Sequence, residues 1–137
     1  MAAIAPIADT GFVVSLLDRL DGHHEWTLRT AEQYPPPWQT CEAVLSETFH
    51  TLGLSGKPAV WALIGRGAFT LPFALHREQD HVISLMKKYS DTPMSFADAC
   101  LVRMTEVHWN SIVLTTDSDF RVYRRHGRRA IPLAMPG

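Results

Sequence analysis

Cysteine, net charge and long apolar runs are all scarce in this sequence, and each shortage excludes a class of protein. Only Cys41 and Cys100 occur in 137 residues, with no CxxC spacing. In a cytoplasmic protein such a pair is expected to be two small buried hydrophobes rather than a disulfide. Neither sign of charge dominates: 13 Lys and Arg stand against 14 Asp and Glu, a formal net charge of -1. Affinity for a polyanion would have to come from a local patch. Every apolar stretch is broken by Asp, Arg, His, Gly or Pro before the roughly 18 residues of a membrane span, so no membrane contact is expected. The segment from Met1 to Asp9 lacks the basic start and long apolar run of a secretory signal. It reads as an opening strand, and a cytoplasmic location is expected. Internal repeats, low-complexity tracts and linkers are missing too. What remains, with 46% hydrophobic residues, is enough for one domain over residues 1–137 with one sizeable core.

Strand and helix patterns alternate along the chain. Ile4 to Asp9 is a short apolar run ending in Asp9-Thr10-Gly11, and Phe12 to Leu17 suits a buried helix. His23 to Gln33 is helical until Tyr34-Pro35-Pro36-Pro37 stops it, and Trp38 to Thr40 forms a short strand. Glu42 to Leu52 is helical, capped by Thr40 and stopped by Gly53; a second helix starts with Pro58 in its first turn and runs to Ile64. Ala68 to Phe73 is a strand, His76 to Tyr89 and Ser95 to His108 are helices, Ser111 to Thr116 is a β-branched strand, and Ile131 to Ala134 is a last strand. This alternation predicts an α/β fold: a central, mostly parallel sheet with helices on both faces, and ligands gathered at the strand carboxyl ends. Pro6 conflicts with the first strand, because proline cannot donate to a central ladder.

The carboxylates are the informative residues. Asp9 follows an apolar strand and precedes Gly11, which places it on the sheet rim, although an Asx turn or helix cap also explains it. Glu47 shares a helix face with Val44 and Leu54, an apolar stripe where an unpaired acid is costly. Glu42 points about 140° away from Glu47 and suits a helix N-terminus, so it is left out. Asp98 lies three residues after Ser95, as in a capping box, on the same helix face as Leu101, Val102 and Thr105. Ile112 to Thr116 runs directly into Asp117-Ser118-Asp119-Phe120, which adds acids at a second strand end. Asp91 is read as a turn residue. Packing alone rarely selects acids at inward or strand-end positions. Clustered carboxylates repel one another unless a cation is shared, and oxygen-only ligation suits magnesium or manganese. Such a site activates water against a phosphodiester.

The segments Asp9-Thr10-Gly11, Val44-Leu45-Ser46-Glu47, Phe96-Ala97-Asp98-Ala99-Cys100-Leu101 and Leu114-Thr115-Thr116-Asp117-Ser118-Asp119-Phe120 together resemble the PIN domain, particularly VapC-type toxins. The resemblance spans nearly the whole chain and implies a three-layer sandwich. It further implies a magnesium- or manganese-dependent endoribonuclease acting on RNA, a homodimer, and an antitoxin protein that silences it. By that resemblance Asp9, Glu47, Asp98 and Asp117 form the catalytic acidic set. Asp9, Asp98 and Asp117 hold the metal with Asp119 auxiliary, and Thr10 and Thr115 are supporting polar residues on the substrate side. The segment from Gly53 to Asp91 is longer than in the shortest members of that family.

Arg121, Arg124, Arg125, Arg128 and Arg129, with His126, follow the last acids and either hold an RNA backbone or form a solvated charged hairpin. Trp26, Trp38, Trp61 and Trp109 are expected mainly in the core. His76 and His81 are five apart and do not share one helix face, which argues against zinc. Asp9-Thr10-Gly11 also matches the triplet of aspartic proteases, but those are all-β folds. A phosphoryl-accepting receiver domain shares the α/β class, yet no lysine follows the last strands. The alternative of weight is a non-catalytic RNA- or protein-binding module on the same fold.

Overall fold

A computed structural model of the chain describes residues 3–137. Five short strands, β1 (Ala5–Ala8), β2 (Trp38–Gln39), β3 (Phe69–Thr70), β4 (Ser111–Leu114) and β7 (Leu133–Ala134), form one sheet in the order β3-β2-β1-β4-β7. Every pairing in it is parallel. Two further strands, β5 (Arg124–Arg125) and β6 (Arg129–Ala130), make a separate antiparallel hairpin. Parallel neighbours need crossover connections, and helices supply them. These are α1 (Thr10–Leu17), α2 (His24–Gln33), α3 (Glu42–Gly65), α4 (Leu75–Lys88) and α5 (Phe96–Val107), followed by a 3-10 turn at Ser118–Arg121.

Strand alternation divides the core in two. Ile7 and Val113 point to one face, where they meet Val44, Val82, Leu85, Leu101, Val102, Phe120 and Tyr123. Ala8 and Leu114 point to the other, against Phe12, Val13, Trp38 and Leu63. Helices therefore cover both faces, as the alternating pattern predicts, and the architecture is a three-layer α/β sandwich.

Pro6 sits in the central strand without breaking it. The amides of Ala5 and Asp9 donate to Asn110 and Leu114 on the β4 side. Successive positions of a strand turn their N–H groups to opposite neighbours, so the nitrogen of Pro6 faces the β2 side. Its level lies one residue before the pairing of Ile7 with Gln39, where β2 is only beginning. No ladder bond is lost.

The structure corrects the reading of residues 42–65. Gly53 interrupts the helix, with φ 68° and ψ -167°, but helical backbone resumes at once rather than at Pro58. Glu47 and Leu54 thus do not share a continuous stripe: Val44 is buried, while Leu54 is 81% exposed. Cys41, not Thr40, is the N-cap residue. Trp61 and Trp109 are also not core residues, at 59% and 47% exposure. No helix among the described residues is long and apolar enough to cross a membrane.

Candidate active site at the carboxyl edge of the sheet

The sheet ends where its acids begin. Asp9 follows β1, accepts from the amide of Thr10 at 2.7 Å through Oδ1, and thereby caps α1. Its Oδ2 accepts from the hydroxyl of Thr115, the residue after β4, at 2.6 Å. The same Thr115 oxygen accepts from the amide of Asp117 at 2.9 Å. One buried hydroxyl therefore ties together the ends of two adjacent parallel strands. Thr115 is completely buried, so it is a positioning residue for Asp9 and cannot meet a substrate as the sequence reading had it. Gly11 is required beside this junction, since a Cβ there would collide with Oγ1 of Thr116.

Asp98 arrives from α5. Ser95 caps that helix: its side chain accepts from the amide of Asp98 at 3.0 Å, and Asp98 Oδ2 accepts from the amide of Ser95 at 3.3 Å. The capping box read from the sequence is therefore formed, and it fixes one oxygen of the Asp98 carboxylate. Asp98 Oδ2 also accepts from the hydroxyl of Tyr123 at 2.8 Å. Tyr123 is held by edge-on contacts with Phe120 and Tyr89, at 5.1 and 5.3 Å between ring centres. Each such ring pair contributes about 1 kcal/mol beyond its burial. Tyr123 was missed from the sequence; the only signal was Phe120 and Tyr123, three apart in an otherwise charged run.

Burial and mutual repulsion set the electrostatics. Asp9 is 4% exposed. Desolvation, opposed by the Thr115 and Thr10 hydrogen bonds and reinforced by the charges of Asp98 and Asp117, pushes its carboxyl up to about 7. Asp98 is raised in the same direction, first by burial, with the Asp117 charge adding to it and the Tyr123 hydrogen bond opposing. Burial and then the Asp98 hydrogen bond raise the Tyr123 phenol, so it stays a proton donor to Asp98. Asp9 thus feels the charges of Asp98 and Asp117, and Asp98 feels that of Asp117, at one edge of the sheet.

The other predicted residues lie around this trio. Glu47, half-buried on α3, accepts from the hydroxyl of Thr10 at 3.1 Å, so Thr10 links α1 to α3 beside Asp9. Asp117 Oδ1 accepts from the amide of Asp119 at 2.9 Å, which starts the 3-10 turn and leaves the Asp119 carboxylate on the Tyr123 side. Asp91 is exposed in a turn and Glu42 is exposed in the first turn of α3, both apart from the trio.

The basic run divides. Arg121 is exposed directly after the acids. Arg124 turns Nη1 back onto the carbonyls of Arg121, Val122 and Tyr123 and so closes the 3-10 turn. Arg125 is not a substrate contact. It is 5% exposed, its Nη1 donates to the carbonyls of Thr105 and Trp109, and its guanidinium lies 3.6 Å from the Trp109 ring centre. Those partners are at the far end of α5, about 10 Å along the helix from Asp98. Arg128 and Arg129 extend that far hairpin and are exposed.

The donor set suits a hard divalent cation in type and charge, being carboxylate oxygens that repel one another. Among the described residues, however, no three acidic, histidine or cysteine side chains stand around a single point as a ready cage. Their oxygens are engaged by Thr115, Tyr123 and backbone amides instead. The fit is one of donor chemistry and electrostatic demand. No protein-family model matches the chain, and no curated protein sequence matches it.

Proposed function

We propose that this chain is a PIN-type, metal-dependent endoribonuclease, with Asp9, Asp98 and Asp117 as the acids that hold Mg²⁺ or Mn²⁺ and Asp119 as an auxiliary acid. One observation carries the reading: at the carboxyl edge of β1 and β4 the charges of Asp98 and Asp117, distant in sequence, raise the buried Asp9 carboxyl, and the charge of Asp117 raises that of Asp98. Two buried acids, Asp9 and Asp98, with the half-buried Asp117 repelling both, add nothing to stability, and that supports a functional role for them.

The bound cation would supply Lewis acidity and a water of lowered pKa. The chain's own residues do the rest. Thr115 and the Thr10 amide fix both oxygens of Asp9, and Tyr123 and Ser95 fix Asp98, so little reorganisation is left for the reacting state. Glu47, oriented by Thr10, is the remaining acid able to accept a proton at the rim. Arg121, exposed two residues after Asp119, would meet a phosphate of the RNA backbone. In this reading an antitoxin or a second copy would cover the same edge.

The test is cleavage of a mixed RNA pool with and without Mg²⁺ or Mn²⁺, comparing the wild type with Asp9→Asn and Asp98→Asn. Metal-dependent cutting that falls by about 10²-fold or more in both variants is expected. Equal cutting by wild type and both variants, or none with either metal, sinks the assignment. In the second case, RNA retention without cleavage would point to a binding module.

A further inference from the structure

We propose that Cys41 and Cys100 form a reactive dithiol that a small peroxide, entering the cavity beside them, converts to an intramolecular disulfide joining α3 to α5. The two residues lie 59 positions apart, yet both are buried in the same core cluster and line the same cavity. Both are free thiols. Chance packing of two cysteines needs no access route, but these line a cavity of about 480 Å³ bounded by Phe73, Ala74, Leu75, His76 and Phe96. Glu42 and His76 add polar groups to its wall, so a small polar reagent can be accommodated.

The two thiols are not equivalent. Cys41 occupies the N-cap of α3, where the unpaired helix amides favour an anionic sulfur. Its thiol is pulled below the ordinary range, mainly by the hydrogen bond from Cys100, although burial and the charge of Glu42 oppose this. Cys41 is therefore the attacking sulfur and Cys100 the resolving one. The Cys41 thiolate displaces hydroxide from hydrogen peroxide, forming S–O as O–O breaks, and the hydroxide takes up the proton that Cys41 released, giving water. Cys100 sulfur then attacks the sulfenic sulfur: S–S forms, S–O breaks, and the hydroxyl leaves with the Cys100 proton as a second water. Two thiols lose two electrons and one peroxide is reduced to two waters. Closure brings the sulfurs to a bonded separation of about 2.05 Å. The bond would clamp together the helices that carry Glu47 and Asp98.

The experiment treats the folded full-length chain with hydrogen peroxide, alkylates it in denaturant, and reads intact mass without reductant. Its readout does not depend on nuclease activity, so it succeeds or fails separately from the function above. The expected product is a monomer about 2 Da lighter that takes up no alkylating agent and reverts with dithiothreitol. It should show a raised thermal midpoint. Cys100→Ala should stop at a Cys41 sulfenic acid trapped by dimedone, and Cys41→Ala should leave Cys100 alkylatable. A wild type that stays fully alkylatable, forms only intermolecular disulfides, or gains only oxygen overturns the proposal. So does Cys100 oxidising in Cys41→Ala as fast as in the wild type.

Discussion

At the scale of single residues, Asp9 couples the site to stability. In the folded chain its carboxyl is raised to about 7 from an ordinary 3.8, chiefly by burial. An acid whose folded value is raised favours folding fully below its unfolded value and loses that contribution as pH rises through the folded one. The window is therefore pH 3.8 to about 7, and the loss across it is at most about 4 kcal/mol. Urea unfolding in the presence of a chelator should show stability falling from pH 4.5 to pH 7.5. Asp9→Asn should flatten most of that slope, leaving the smaller slope of the same sign that belongs to Asp98. An unchanged slope in the variant would refute the assignment of the buried charge to Asp9. The alternation and turn chemistry around Asp9 were legible in the chain. Its partner Thr115, 106 residues away, was legible only as a supporting polar residue of unknown contact.

At the scale of elements, the break in α3 decides which faces are covered. Gly53 adopts a backbone region essentially reserved for glycine, and the helix resumes with its face rotated, so Leu54 is exposed although Val44 is buried. Gly53→Ala should destabilise the chain by about 1–3 kcal/mol in chemical denaturation. Gly65→Ala, at a helical position with open space around its Cβ, should be neutral or stabilising by up to about 1 kcal/mol. If both substitutions cost the same, the strain at Gly53 is not real. The sequence marks Gly53 as a stop but cannot say that two helical segments continue across it, because that depends on the packing of the second segment through Val60 and Leu63. Conversely, the capping box at Ser95 was fully readable, since its partners are three residues apart.

At the scale of the molecule, the acids face one edge and the buried Arg125 with its stacked Trp109 lies toward the other end of α5. Repulsion at the acidic edge predicts that divalent ions stabilise the fold, and more strongly when Asp9 is ionised. Mg²⁺ or Mn²⁺ at millimolar concentration should raise the thermal midpoint at pH 8 more than at pH 6. The increment should shrink in Asp98→Asn. No shift at either pH would remove the cation from the reading while leaving the fold untouched.

Local rules account for much of this protein from its sequence. Apolar periodicity indicated the α/β alternation. Proline and glycine marked the breaks, and acids directly after apolar strands indicated the edge where Asp9 and Asp117 lie. These signals are readable because their causes act within a few residues. Only the tertiary structure decided that Tyr123 holds Asp98, that Thr10 reaches Glu47, that Arg125 is buried away from the acids, and that Cys41 and Cys100 line one cavity. Each of these depends on how helices are placed across the sheet. That placement follows from packing the two faces together, a collective requirement that no local pattern encodes.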